Sequence, residues 1–390
     1  MTERIVIVSG ARTPVGSFAG VFRDVDAHEL GAVAVREALG RAAVDPADVG
    51  EVIMGCVAQY GPDAYNARRV ALAAGLEPRV PALTVNRLCG SGVQAIWSGA
   101  QELLWGDVDV VVAGGDESMS RTPFLSYDLR GNTRFGDRSL QDGTLAILTD
   151  PFSGRHMGTT AENVAARYGV SREEQDGFAL ESQRRAATDA ARAAFAEEIA
   201  PVVVGDTTVS VDQHPRPDTT LDALARLRPV FQEGGTVTAG NASGINDGAA
   251  ATVLMREADA RARGVSGLAT IEAVTTAGID PALMGYAPVI ALQRLWERTG
   301  LGPSDVDVFE VNEAFAAQAV AVIRDAGLDP ARTNPYGGAI ALGHPVGATG
   351  AILTVRAALD LQRRDLEYAV VTLCIGGGQA IAALLRRWDG

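Results

Sequence analysis

The sequence repeats its own plan at a nearly constant spacing, and that repeat constrains the fold more than any other feature. Pro46-Ala47-Asp48-Val49-Gly50-Glu51-Val52-Ile53 resembles Pro303-Ser304-Asp305-Val306-Asp307-Val308-Phe309-Glu310, 257 residues later. Gly106-Asp107-Val108-Asp109-Val110-Val111-Val112 resembles Arg364-Asp365-Leu366-Glu367-Tyr368-Ala369-Val370, 258 residues later. Either match alone could arise from an acidic surface turn feeding a strand. Two matches in nearly one register point to two similar halves. Around them, apolar runs of strand length alternate with helical periodicity, the pattern of α/β layering. The pattern predicts helices over 27–43 and 89–105. It predicts strands over 52–54 and 108–113, the second ending at Gly114-Gly115. One half is expected to span 1–120 with 248–270, and the other 271–390. Residues 121–247 fit neither: they read as an inserted loop domain with loops at 130–132 and 136–137, a helical pair around 158–198 and a proline-interrupted stretch at 213–217. Such an excursion is usually a lid or a substrate-binding feature.

Composition excludes several function classes. The 390-residue chain carries a net charge of −14, and every one of its 34 basic residues is arginine. A Schiff-base lysine and a Walker-type lysine are therefore ruled out. The acidic balance argues against nucleic acid as a partner. An anionic ligand must be met by local arginines or by helix N-termini. The three cysteines, Cys56, Cys89 and Cys374, are odd in number, widely spaced and without a C-x-x-C pair. That opposes a disulfide framework or a zinc site and favours a reducing, cytoplasmic setting. No signal peptide is expected, because the chain enters the apolar Ile5-Val6-Ile7-Val8 without a basic leader or a cleavage pattern. No run approaches the ~18 apolar residues of a membrane span.

Four motifs carry chemistry. Cys89 lies in Val85-Asn86-Arg87-Leu88-Cys89-Gly90-Ser91-Gly92, where a short strand passes through a tight turn into a helix. A free cysteine is usually a small buried hydrophobe. Here the glycines clear space for a carbonyl, and the helix start is expected to favour the thiolate, so Cys89 reads as a nucleophile for an acyl group. His344 sits in Gly343-His344-Pro345-Val346-Gly347, before a helix, and suits a general base or an oxyanion donor. Of the other histidines, His28 is expected on the surface and His214 facing solvent. Cys374 closes a strand before Gly376-Gly377-Gly378 and reads as an acid/base beside open backbone N–H groups. A phosphate-cradling loop is the competing reading, weakened by the missing lysine. Asn312, in Val311-Asn312-Glu313-Ala314-Phe315, offers an amide for a water or a carbonyl, or else simply caps a helix.

Together with Ala11-Arg12-Thr13-Pro14, Gly114-Gly115-Asp116-Glu117-Ser118-Met119-Ser120, His156-Met157-Gly158 and Asn241-Ala242-Ser243-Gly244-Ile245-Asn246-Asp247-Gly248, these motifs resemble the thiolases from end to end, the acetyl-CoA acetyltransferase type most closely. The resemblance implies a thiolase-like α/β fold, with the halves layered α-β-α-β-α. It implies an acyltransferase that joins two acetyl-CoA into acetoacetyl-CoA and CoA through acetyl-Cys89, and runs the reverse. His344 takes the Cys89 proton and, with a water held by Asn312, forms one oxyanion site. The backbone N–H groups of Cys89 and Gly376 form the other. Cys374 exchanges the α-proton of the second acetyl-CoA. Leu148 and Ser243 match positions near coenzyme A, and His156, Met157, Ala314 and Phe315 match the acyl-pocket neighbourhood. Coenzyme A and acyl-CoA enter as substrates, with no metal or other cofactor; the partner is a second copy of the chain, as a dimer or tetramer.

The sequence departs from the family pattern at Asp116, Arg155, Ala287 and Ala380. Methionine is usual where Asp116 stands, and a buried, unpaired acid there would be costly. It is expected to face solvent or an arginine such as Arg121. The departures leave open a degradative thiolase for longer 3-ketoacyl-CoA or 3-oxoadipyl-CoA. A decarboxylating ketoacyl synthase would carry a second His or an Asn in place of Cys374. A non-catalytic, lipid-binding relative would not need all four motifs.

Overall fold

The computed structural model describes residues 3–127, 129–131 and 135–390. Asn132, in one of the expected loops, lies outside the described residues. Nine strands carry the architecture: β1 (Ile5–Arg12), β2 (Glu51–Gly55), β3 (Ala82–Val85), β4 (Val110–Ser118), β5 (Asn246–Arg256), β6 (Ala269–Gly278), β7 (Val308–Val311), β8 (Tyr368–Ile375) and β9 (Gln379–Arg387). They hydrogen-bond in the order β7-β8-β9-β6-β1-β5-β4-β2-β3. That order is one motif used twice. β2 and β4 run parallel, while β4–β5 and β5–β1 are antiparallel. In the second half β7 and β8 run parallel, while β8–β9 and β9–β6 are antiparallel. The halves meet where β1 and β6 place Val6 opposite Thr270 and Ile7 opposite Ala269. The sequence repeat therefore marks β2 with β7 and β4 with β8.

Strand alternation explains the layers. Val110 and Val112 point to one face of β4, where Leu30, Val35 and Leu39 of helix α1 (Ala27–Ala42) cover them. Val111 and Ala113 point to the other face. There they join Val93 and Ile96 of α2 (Ser91–Trp105), Ile352 and Val355 of α4 (Thr349–Arg363), and Val371 and Ile381 of the second half. On the far side, Val289, Leu292 and Leu295 of α3 (Ala287–Thr299) pack against Phe309, Val370 and Leu384. The result is helix–sheet–helix–sheet–helix, with α2 and α4 between the sheets. Burying each such side chain is worth roughly 1.5–3 kcal/mol.

The central helices meet at their N-termini. A Cβ on Gly92 would strike the backbone nitrogen of Ala351, and one on Gly350 would lie 2.7 Å from that of Val93. This contact brings the turns before the two helices, one with Cys89 and one with His344, to one place.

Gly114-Gly115 does not end its strand. β4 runs on to Ser118, because these glycines admit close backbone: a Cβ on Gly114 would strike Ala250 O, and one on Gly115 would strike Gly347 O. The inserted stretch holds three helices over 157–198 rather than a pair: Met157–Tyr168, Arg172–Ala186 and Asp189–Glu198. It is tied to the core by buried charges. Arg12 bonds Glu198 at 2.6 Å and Asp212 at 2.7 Å, and Arg356 meets Glu198 at 3.2 Å. No helix among the described residues is long and apolar enough to cross a membrane.

Candidate active site

Cys89 stands on a sharp bend between β3 and α2. Leu88 is left-handed at φ +48°, unusual for a residue with a side chain. Local hydrogen bonds hold it there. Asn86 Oδ1 accepts from the Leu88 N–H at 2.9 Å, and Ser91 Oγ donates to Leu88 O at 2.6 Å while accepting from the Arg87 N–H at 2.9 Å. Helix α2 starts at Ser91 with Gly90 as its N-cap, so Cys89 lies just outside the first turn. Burial pushes its thiol up to about 11, against the pull of N–H groups from Gly376 and Cys89 itself. The expected preference for the thiolate is thus overturned: loss of hydration outweighs the helix end, and the free thiol is neutral.

His344 is buried in the turn before α4. Its backbone N–H donates to Asn246 Oδ1 at 2.9 Å, and Gly343 before it takes φ +97° against the Asn246 side chain. The ring tautomer follows from its partners. Thr349 Oγ donates its one proton to Pro345 O at 2.9 Å, so at 2.7 Å from His344 Nδ1 it must accept. Nδ1 therefore carries the hydrogen, and Nε2 presents a lone pair toward Asn312 Nδ2 at 3.4 Å. Burial holds the imidazole down to about 4, neutral and able to accept a proton. Asn312 is fixed by strand pairing to Thr372 O and by Gln318 donating to its carbonyl at 3.2 Å, while its Oδ1 is buried with no protein partner.

Cys374 is the last residue but one of β8, opposite Ala380, and is buried. Burial pushes its thiol upward, and the neighbouring Cys89 adds to the effect. Its apolar surroundings include Met157, Met284, Ala314 and Phe315. Those four residues also line a cavity of about 60 Å³ with Leu88, Cys89, Leu148, His344 and Gly376. Leu148, Phe315, His344 and Val346 are shared with a wide cleft of about 840 Å³. Ser243, His156, His214 and Arg216 line that cleft, which the insertion largely builds. The geometry is a small chamber lined by a thiol and a neutral imidazole, with a second thiol buried behind its wall, and it shares residues with a large groove.

The family description "Thiolase, N-terminal domain" matches residues 5–258, and "Thiolase, C-terminal domain" matches residues 265–387. The chain belongs to the thiolase family. It is 53% identical to beta-ketothiolase BktB of Cupriavidus necator, over 99% of this chain and 100% of that protein. It is 48% identical to an acetyl-CoA acetyltransferase of Rhizobium meliloti, over 98% of each. Its fold is the thiolase fold. The crystal structure of human mitochondrial 3-ketoacyl-CoA thiolase in complex with CoA superposes with TM-score 0.96 at 42% identity, over 100% of this chain and 99% of that one.

The site of this thiolase gathers Cys89, His344, Asn312, Cys374 and Gly376 from both halves, with Leu148, Met157, Ala314 and Phe315 around the chamber and His156 and Ser243 along the cleft. His156 caps the helix Met157–Tyr168 by accepting from the Gly158 N–H at 3.0 Å, and stacks on Phe231. His214 is half-buried on the cleft wall: it packs over Gly244, with Nδ1 3.4 Å from Asn246 Nδ2. His28 is half-buried on α1. Asp116 meets neither solvent nor Arg121. It is fully buried and accepts from Asn66 Nδ2 at 2.7 Å, while Arg121 pairs with Asp26.

Sequence reasoning did not single out Thr349, Asn246, Arg216 or Glu117. Thr349 was within reach, five residues after His344 where the first helical turn folds back. The other three act across long sequence separations that no local pattern reveals.

Proposed function

We propose that this thiolase catalyses the reversible Claisen condensation of two acetyl-CoA to acetoacetyl-CoA and CoA through acetyl-Cys89. The observation that carries the reading is the convergence of Cys89, His344 and Gly376 on one small chamber, with Cys374 buried behind its wall among Met157, Met284, Ala314 and Phe315. The thiolysis direction starts from the neutral groups described above. Cys89 passes its proton to His344 Nε2 as sulfur bonds to the 3-keto carbon. The bond between C2 and C3 breaks, and the carbanion at C2 takes the Cys374 proton, releasing acetyl-CoA. CoA then gives its thiol proton to the Cys374 thiolate and attacks the acyl group. Cys89 leaves and recovers its proton from His344. Condensation is the same sequence reversed. One oxyanion lies at the N–H groups of Cys89 and Gly376, the other at His344 with a water on Asn312. Each such donor is typically worth about 3 kcal/mol.

The small chamber supports acetyl as the preferred acyl group, and the groove matches a long substrate whose anionic end Arg216 would meet. Leu148, His156 and Ser243 would border its pantetheine. Longer 3-ketoacyl chains form the second reading, because Met157 and Met284 are flexible walls that can yield. CoA-dependent thiolysis across 3-ketoacyl-CoA chain lengths, with Cys89→Ser as control, tests both. Activity centred on acetoacetyl-CoA supports the first reading; a longer optimum selects the second; no turnover by folded, reduced protein would sink both.

A second copy of this chain is the proposed partner, as a dimer or tetramer. Strand β3 stands at the sheet edge with Leu83 exposed, and Trp105 is 90% exposed. A monomer mass by light scattering would overturn it. The three free thiols, two of them needed by the chemistry, support a reducing cytoplasmic setting.

A further inference from the structure

Glu117 takes no part in these proton transfers, yet it is fully buried at the end of β4, and its carboxylate gathers three backbone N–H groups from two loops. Oε1 accepts from Ala58 at 3.0 Å, and Oε2 accepts from Val57 at 3.1 Å and from Gly347 at 2.8 Å. The Cys56 thiol stands 3.8 Å from Oε1. The first loop follows β2 and supplies Val57 to the acyl chamber; the second runs from His344 through Val346, another chamber wall, into α4. A Cβ on Gly347 would lie 2.7 Å from Glu117 Oε2 and 3.0 Å from Cys56 Cα, so the glycine lets the loop close onto the acid. Without the carboxylate, three buried N–H groups would lose their acceptor.

We propose that Glu117 is a positioning residue for acyl transfer, clamping the Val57 wall and the His344 turn to each other through their backbones. The proposal rests on the thiolase reading of the site. The ionisable groups around Glu117 are Cys56, Asp116, Asp63, Tyr60 and Cys89, with Asp26, Arg69 and Arg121 lining the same outer cavity. Burial pushes Glu117 up to about 7, held from rising further by its N–H donors. Its charge in turn is one of the influences that raise the Cys89 thiol.

The test compares wild type, Glu117→Gln and Glu117→Asp in two readouts. One is thiolysis of acetoacetyl-CoA; the other is the pH dependence of Cys89 alkylation by iodoacetamide, read on the Cys89 peptide by mass spectrometry. In Glu117→Gln an amide NH₂ faces a backbone N–H. Its kcat should fall at least about ten-fold while KM for CoA stays within about two-fold, because Glu117 does not line the cleft and most of the cleft wall comes from the insertion. Its alkylation midpoint should move to lower pH, since a negative neighbour is gone. Glu117→Asp keeps the charge but is a methylene too short to span both loops: kcat should fall and the midpoint should not drop. Wild-type kcat in either variant would overturn the proposal, as would a Gln variant whose midpoint stays or rises. Should Glu117→Gln not fold, Glu117→Asp decides by its kcat. A wild type without turnover sinks the thiolase reading instead, and the alkylation midpoints then judge Glu117 alone.

Discussion

The two halves share a strand plan and differ most at one connection. Between β8 and β9 the chain turns on Gly376, Gly377 and Gly378; between the matching β4 and β5 it travels through 119–245. The short turn is tight, with Gly377 at φ +79° and Gly378 at φ +78°, and it aims the Gly376 N–H at Cys89. The long excursion supplies the groove, from Leu148 and His156 to Arg216 and Ser243. On the proposed function, one half keeps its connection tight to serve the chemistry, and the other lengthens it to hold the substrate. The repeated part of the fold delivers what both need, a helix N-terminus from each half meeting at Gly92 and Gly350.

The two thiols offer the hardest test of this division. Cys89→Ala should lower turnover by about 10³-fold or more and leave no acetyl adduct in an intact-mass measurement with acetyl-CoA. Cys374→Ala should lose turnover to a similar degree yet still form the adduct, more slowly: CoA can leave as a thiolate without the Cys374 proton, whereas the carbon–carbon step cannot proceed without it. Loss of the adduct in Cys374→Ala would show that the halves do not divide the work this way.

The next largest effect concerns the resting charge of the chamber. With its thiol raised to about 11, Cys89 should be alkylated at neutral pH roughly 10²-fold more slowly than a free cysteine, with the rate still climbing at about pH 9. A plateau below about pH 8 would mean the helix end of the first half outweighs burial after all. The acid side has a definite sign as well. His344 is held down to about 4, so the stability it contributes is complete above the unfolded value near 6.5 and is lost as pH falls through about 4.

Much of this was readable from residue order alone, and the exceptions share a cause. The repeat exposed both halves because paired strands must bury the same alternating faces, as Val110 to Ala113 do. Cys89 and His344 stood out through the glycines that clear space around them. Gly114-Gly115 looked like a strand end, because a sequence does not show that Ala250 and Gly347 press against those positions. The Cys89 thiol was misjudged for a similar reason: the helix end is local and visible, whereas the burial that outweighs it is assembled from Leu148, Met157 and Phe315, far along the chain. Glu117 was hidden inside its motif because its partners are backbone groups, which carry no residue signature.

A pair of glycines separates the two connections directly. Gly378→Ala puts a Cβ against Ile279 O and within 2.8 Å of Pro281 N at a positive φ, and should cost about 3 kcal/mol in a denaturant titration. Gly136→Ala, in the insertion at φ +108° with open space around it, should cost about 1 kcal/mol. Equal losses would mean the tight turn is no more constrained than the excursion.

The smallest expected effect probes the acid that this chain carries where methionine is usual. By the 258-residue offset between β4 and β8, Asp116 stands where Cys374 stands in the other half, and both are buried and raised. Asp116 Oδ1 accepts from Asn66 Nδ2 at 2.7 Å, leaving Asp116 Oδ2 and Asn66 Oδ1 both buried without a partner. A proton on Asp116 Oδ2 makes the acid a donor, and the amide that already holds its Oδ1 carries a buried acceptor without a partner. Asp116→Asn presents the same shape with an NH₂ in place of that hydroxyl, and should change stability by less than about 1 kcal/mol at neutral pH. Were the acid ionised there, the replacement would remove a buried charge with its single donor, and stability would move by several kcal/mol and in a pH-dependent way. A flat difference between the two proteins across pH 5–8 in urea titrations would therefore establish Asp116 as a neutral hydrogen-bond donor, the first half's apolar-site counterpart to the protonated thiol of the second.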